Sequence, residues 1–454
     1  MRLSDLMHCF EGVTPASIAT CDGEGVPNVT LLSQVHYVDE GHVALSCQFF
    51  NKTRRNVDQN PYASVRLWDP TTLQPYALQL RFLRAETEGP LFERMSSRID
   101  AIARLTGMEG IFKLLSADVY QVLSATKVDG ALLPPGAVPL QPRPRLATGG
   151  EQRRAELRGL QELSGRICRA RTLEELFDAL LESVTSLFAA QHALLLLHDE
   201  QQQCLVAIDS KGYERSGAGA EVSLGEGLIG SVAATRSPVK LSGMHAVRRY
   251  ARAVQQAARE GGTATLREVP LPALDDAQAQ LAMPLVANDR LVGVLALESR
   301  DPLAFEDWHE AFLGILANQA ALAIAVLTER DDEEDGVPVA PDAAPLPART
   351  RRFTWFAADE SVFVDGEYLT RNVPARILWK LLNEHAEGRR EFTNRELRMD
   401  PGLGLPSLRD NLESRLILLR KRLEERCPDV RLVPVKRGRF VLERDSEIVL
   451  ESKP

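Results

Sequence analysis

Apolar and polar residues alternate along the first part of the chain. ASIATCD (16–22), PNVTLLSQVHYVD (27–39), HVALSCQFF (42–50) and YASVRLW (62–68) follow the period of half-buried strands. DGEGVP and DEG supply turns between them. NKTRRNVDQNP (51–61) breaks the alternation and predicts a short helix or turn. It stops at Asn60-Pro61, because the residue before a proline avoids helical geometry. YALQLRFLRAETEG (76–89) predicts another strand pair, FERMSSRIDAIARL (92–105) an amphipathic helix, and ADVYQVLSATKV (117–128) a last strand. Together these make a small antiparallel barrel with one or two helices.

The period then lengthens. Leu157, Leu160, Leu163 and Ile167 mark one helical face within 152–188, and Thr172 with Glu175 reads as a capping box before LEELFDALLESVTSLF. AQHALLLLHDE and QCLVAIDSKG read as strands, and QAQLAMPLVANDRLVGVLALES as two strands around an Asn288-Asp289 turn. FEDWHEAFLGILANQAALAIAVL is a closing helix. Further on, FTWFAADESVFVDGEYLTRNVP is strand-rich. Ile377, Leu378, Leu381 and Leu382 mark the buried face of a helix in PARILWKLLNEHAEG. EFTNRELR starts a second helix, with Thr393 as cap and Glu396 three residues on. SLRDNLESRLILLRKRLEER is a third helix, and VRLVPVKRGRFVLE a hairpin turning at Arg437-Gly438.

Two stretches carry no apolar period: 129–150, rich in Pro and Gly, and 331–350, acidic and then rich in Pro and Ala. Both predict extended linkers. They divide the 454 residues into units at 1–128, 151–330 and 351–454. A composition of 44% hydrophobic and 26% charged residues is that of globular units. The apolar runs at 193–197 and 311–327 are expected to be too short or too broken to span a bilayer, so no membrane is expected. Residues 1–10 do not read as a signal peptide, and the expected location is the cytoplasm. The six cysteines form no C-x-x-C pair and the eight histidines are scattered, so no zinc site is expected. The net charge of −9 excludes a uniformly basic coat but not a local basic face.

GEGLIG (225–230) matches G-x-G-x-x-G. A dinucleotide turn needs a hydrophobic parallel strand before the first glycine and an acidic residue about twenty positions on. GAGAEVSL precedes the motif, and no such acid closes a second strand. The glycines therefore predict a tight turn ahead of a helix in LIGSVAATR.

The series G-x-P-x-V-x-x-L, then VDEGHVALS, then N-K-T-x-x-N-V-x-x-N-P-x-A-x-V resembles the pyridoxamine-5′-phosphate-oxidase-like FMN-binding split barrels. The resemblance implies a homodimer with FMN at the subunit interface. Lys52 falls where the family binds the flavin phosphate, and Ser46 where it offers a small hydroxyl. Ser46, Asn51, Lys52 and Thr53 are the candidate cofactor contacts, with Arg54 and Arg55 adding positive charge. Thr30 and Val35 stand where classical members place basic contacts, and Asn51 replaces the usual arginine.

G-x-G-L-x-G-x-V-A (225–233), Ser237-Pro238, MPLV (283–286) and RLVGVLAL (290–297) together resemble a GAF domain. That resemblance implies a six-stranded antiparallel sheet between helices, a small-molecule pocket and flanking helices that pair in a dimer. Residues 244–268 fall where such domains cover their ligand.

The last segment resembles the OmpR-like winged-helix domain of response regulators, through LRKRL (419–423) and KRGRFVL (436–442). Residues 405–444 carry eleven basic and six acidic side chains. The resemblance implies double-stranded DNA as partner. Arg409, Asn411, Ser414 and Arg415 would face the major groove, Lys421 and Arg422 the phosphates, and Lys436, Arg437 and Arg439 the wing contacts.

The expected fold is thus an α+β multidomain chain: split barrel, GAF sandwich and winged helix. The expected function is a transcriptional regulator that senses a small molecule or redox state. The alternative is a flavin-dependent oxidoreductase with two regulatory modules.

Overall fold

The computed structural model describes residues 1–48, 52–70, 72, 74–105, 113–129, 150–188, 190–243, 271–274, 276–302, 304–305, 307–329, 350–405, 412–436 and 438–454. The interiors of both expected linkers, and residues 244–268, lie outside the described residues.

The first unit runs α1 (Met7–Glu11), β1 (Ala16–Cys21), β2 (Pro27–Leu32), β3 (Val35–Asp39), β4 (His42–Cys47), α2 (Lys52–Gln59), β5 (Tyr62–Trp68), β6 (Pro75–Glu86), α3 (Pro90–Leu105) and β7 (Ser116–Lys127). Its seven strands form one antiparallel sheet in the order β2-β1-β5-β6-β7-β4-β3. Residues 76–89 hold one long strand where two were expected. β6 stays paired with β7 along its length and absorbs the curvature at register shifts between Gln79/Leu80 and Phe82/Arg84. Ile18, Val43, Val65, Leu78, Leu80 and Tyr120 fill the interior.

The second unit runs α4 (Gly150–Arg169), α5 (Leu173–Leu187), β8 (His192–Asp199), β9 (Cys204–Lys211), β10 (Glu221–Ser223), α6 (Gly227–Thr235), β11 (Val239–Ser242), β12 (Ala279–Ala287), β13 (Arg290–Ser299) and α7 (Asp307–Glu329). Thr172 caps α5, accepting from the Glu175 N–H at 3.2 Å, while the Glu175 carboxylate reaches back to the Arg171 N–H. The sheet is six-stranded and antiparallel, in the order β10-β9-β8-β13-β12-β11. Asn288 and Asp289 both adopt positive φ, 50° and 58°, and turn β12 into β13.

The turn reading of GEGLIG holds in the structure. Gly225 sits at φ 88° and its N–H donates to the Gly230 carbonyl at 2.7 Å. A Cβ on Gly230 would lie 2.3 Å from the Ser223 carbonyl oxygen. The strand before the motif, β10, is an antiparallel edge strand, opposite to what a dinucleotide turn requires.

α7 differs from expectation. Trp308–Thr328 is long and apolar enough to cross a membrane by length and composition, with mean hydropathy 1.9. Its Leu313, Leu316, Ala317, Ala320 and Ile324 fill the core of this unit. Ile315, Leu322 and Val326 stay exposed on another side of the helix.

The third unit runs β14 (Thr350–Phe356), β15 (Ser361–Val364), β16 (Glu367–Arg371), α8 (Asn372–Ala386), β17 (Glu391–Thr393), α9 (Asn394–Met399), α10 (Leu412–Arg426), β18 (Val430–Lys436), β19 (Arg439–Arg444) and β20 (Glu447–Lys453). Ile377, Leu378, Leu381 and Leu382 are buried as expected. The Thr393/Glu396 capping box forms in both directions. β18 and β19 pair as a hairpin, with β17 beside β19. The last strand was not foreseen: β20 runs parallel to β14 and closes a four-stranded sheet, β16-β15-β14-β20.

The units are packed together. Lys240 of β11 donates to the Glu11 carboxylate at 2.6 Å in a buried pair joining the first two units. Val13 N–H bonds to the Ser242 carbonyl, and Arg104 of α3 donates to the Gly225 carbonyl.

Two changes test this packing. Gly230→Ala forces backbone apart and is expected to lower stability by about 1–3 kcal/mol in urea unfolding; an unchanged midpoint contradicts the close approach. Glu11→Ala strands a buried ammonium and is expected to cost about 3 kcal/mol by the same measurement; a neutral effect contradicts the interdomain pair.

Candidate functional site

Two sites collect the residues singled out in the sequence. The first is a cavity of about 320 Å³ between β2, β4 and α2. Ile18, Leu32, Leu45 and Val57 line its apolar side, and Thr30, Ser33, Ser46, Gln48, Thr53 and Arg54 its polar side. α2 forms here because NKTRRNVDQ carries no proline until Pro61 and buries only Asn56 and Val57 against the sheet.

Ser46 accepts from the Gln34 N–H at 3.1 Å, and Thr53 from the Asn28 amide at 2.9 Å. Lys52 is exposed at the start of α2 and lies beside rather than in the cavity lining. Asn51 lies outside the described residues. Arg54 does not serve as a free cation. Its guanidinium makes two bonds to Asp118, at 2.9 and 3.0 Å, pairs with Asp58 at 3.2 Å, and lies 5.0 Å from the Phe82 ring centre. Burial pushes the Asp118 carboxyl above its usual range, despite its bonds to Ser116 and Arg54.

A flavin-type ligand fits what is present. The Gln48 Nε2 and both ends of the Gln34 amide are buried without a hydrogen-bond partner among the described residues, and Gln48 lines the cavity. Orphaned buried amides of this kind are costly unless something bonds to them. Lys52 and the N-terminus of α2 suit a phosphate next to that cavity.

The second site is the interface between the GAF-like unit and α10. Leu412, Leu416, Leu419 and Leu423 face the third unit's own core. Ile417 and Leu418 face the other way, into the core of the second unit. Two of the expected DNA contacts, Arg415 and Lys421, share that outer side. Lys421 pairs with Asp209 at 2.5 Å and Arg415 with Asp199 at 3.4 Å. Arg420 pairs with Glu174 at 3.1 Å, and Glu425 accepts from the Ser216 N–H at 3.0 Å. Arg371 of β16 adds a pair with Glu221 at 2.5 Å.

The placements of Ser414, Arg415, Lys421 and Arg422 therefore depart from those expected. Ser414 and Arg415 are buried under the second unit, and Lys421 is held by a carboxylate. Arg422 is only 3% exposed and donates to the Leu369 carbonyl at 2.9 Å, so it braces its own unit rather than facing a phosphate. Lys436 is exposed on the hairpin, and Arg439 is half-buried and pairs with Glu391 at 3.2 Å. Arg409, Asn411 and Arg437 lie outside the described residues. The missed signal was LILL at 416–419: four consecutive apolar residues on a helix cannot share one core.

Residues 5–122 match the family model described as pyridoxamine 5′-phosphate oxidase, and residues 170–325 that of the GAF domain. The chain thus contains a pyridoxamine-phosphate-oxidase-like unit followed by a GAF domain. No curated protein matches it. Among solved structures, the GAF domain of an Acinetobacter phosphoenolpyruvate-protein phosphotransferase aligns at 22% identity, over 38% of this chain and 93% of that one, with TM-score 0.32. An FMN-binding protein from Syntrophomonas wolfei aligns at 15% identity, over 29% of this chain and 90% of that one, with TM-score 0.24.

One buried base reports on the packing of the second unit. His309 of α7 lies against Phe188 and Trp308, and burial, with Lys240 nearby, lowers its pKa to about 4. Below the ordinary value of 6.5 the unfolded chain takes up a proton that the folded chain refuses. Stability is thus expected to fall as pH drops from 6.5 to about 4. His309→Gln is expected to flatten that part of the melting-temperature profile; an identical slope in the variant contradicts it.

Proposed function

We propose that the chain is a ligand-sensing regulator, in which the split barrel takes a flavin-type ligand and a winged helix at the C-terminus delivers the response to duplex DNA. The observation that carries this reading is the central position of the GAF domain. The split barrel presses on its α6 and β11 side, and α10 presses on its β8 and β9 side. A change at either face of that sheet has a direct physical route to the other.

Lys52, Thr53, Ser46 and Gln48 would hold the ligand's phosphate and polar edge, and a bound flavin would supply a redox-active ring. Val29 and Leu31, 70% and 72% exposed on the edge strand β2, favour a second copy against this unit. The order of three helices and a hairpin, with eleven basic residues over 405–444, supports the winged-helix and DNA reading.

The test is a visible absorption spectrum of the full-length protein after incubation with FMN and gel filtration. Flavin is expected to be retained, and Lys52→Ala to weaken retention roughly tenfold, since a charge-assisted bond contributes about 1.5–3 kcal/mol. Equal retention by the variant contradicts the phosphate assignment, and no retention by either contradicts the flavin reading.

A further inference from the structure

We propose that the acidic face of the GAF domain and duplex DNA compete for the same surface of α10, so that the docked arrangement is the silent one. This rests on the regulator reading above and adds what controls it. Glu174, Asp199 and Asp209 sit on three successive elements of the GAF domain, α5, β8 and β9, and each meets a different cation of α10. Arg415, Arg420 and Lys421 are thereby occupied by carboxylates on the side where a polyanion would have to approach.

The pairing is not a scatter of surface contacts. Asp209 is 5% exposed and Arg415 8%, so both charges are withdrawn from bulk water, where opposite charges interact more strongly than at a surface. Ser414, Ile417, Leu418, Lys421 and Glu425 follow the i, i+3, i+4, i+7, i+11 spacing of one helical face. Along that face the GAF domain meets an apolar centre, Ile417 and Leu418, flanked by Lys421 and Glu425. A duplex offers phosphates to the cations and base edges to the remainder, so the two partners cannot be held together.

The interface is also incompletely packed. A cavity of about 60 Å³ lies between β8, β9, β16 and α10. Both ring nitrogens of His198 and the hydroxyl of Ser414 are buried at it without a hydrogen-bond partner among the described residues. Unsatisfied groups at an interface lower the cost of opening it. An interface held by charge pairs around a small apolar centre, with orphaned polar atoms inside, is suited to opening rather than to permanent closure.

Competition has a defined arithmetic. If α10 is free only a fraction f of the time, the apparent dissociation constant for duplex is the intrinsic one divided by f. Weakening the dock raises f and tightens duplex binding without touching any DNA-facing residue.

The experiment uses the full chain with Asp199→Asn and Asp209→Asn together. Asparagine keeps the shape, and at Asp209 it retains an acceptor for the Ser210 N–H. Val206→Ala is the second variant; Val206 lines the interface cavity together with Leu418, so the change weakens the apolar contact from the GAF side and leaves every residue of α10 in place. Hydrogen exchange of α10 reads docking, and retardation of a random-sequence duplex at low salt reads DNA binding. In both variants α10 exchange is expected to speed up and duplex affinity to rise at least tenfold. Faster exchange with equal duplex affinity overturns the competition while leaving the regulator reading intact. Faster exchange with no duplex bound by any form overturns the regulator reading and the competition with it. Unchanged α10 exchange in both variants overturns the dock itself.

Discussion

Leu416, Ile417, Leu418 and Leu419 follow one another on a single helix. Successive helical positions are about 100° apart, so these four point around most of the helix circumference. One core cannot bury them all. Leu416 and Leu419 enter the core of the third unit, and Ile417 and Leu418 enter the core of the GAF domain. The placement of the whole C-terminal unit follows from this constraint. Once α10 lies against the GAF domain, its cations fall opposite Glu174, Asp199 and Asp209, and Arg371 opposite Glu221.

The other interface rests on a different balance. Glu11 and Lys240 are buried together, and neither tolerates burial alone. Around them Val13 and Ala101 of the first unit join Val239, Leu241 and Val232 of the GAF domain in a shared apolar cluster. Arg104 reaches the Gly225 carbonyl, so the glycine turn that resembles a cofactor cradle serves as a point of contact between units. The glycines are needed there for backbone reasons, with Gly225 at positive φ and Gly230 against the Ser223 carbonyl.

Local structure was legible where it depends on neighbours in sequence. Alternation revealed β1, β4 and β5, but the run 27–39 read as one strand is divided into β2 and β3, which lie at opposite ends of the sheet order. The Asn288-Asp289 pair revealed the turn between β12 and β13, and Thr172 and Thr393 revealed two helix starts. The features that escaped depend on distant partners. β20 is a strand because β14 has a free edge for it, 97 residues earlier at Thr350 and Glu447. β6 stays a single strand because β7 is equally long. Of the candidate cofactor contacts, Ser46 and Thr53 do line one cavity with Arg54, but Arg54 is claimed by Asp118, 64 residues away. No spacing rule carries that information. The basic residues of α10 were legible as a charge cluster, and their occupation by GAF carboxylates was not, since it needs the docked geometry.

The docking of α10 on the GAF domain is the claim on which the rest stands. A double-mutant cycle on Lys421 and Asp209 in the full chain, read by urea unfolding, tests it most directly. With the two side chains 2.5 Å apart and Asp209 withdrawn from water, the account predicts a coupling energy of about 1 kcal/mol or more. Strict additivity of Lys421→Ala and Asp209→Ala would contradict it.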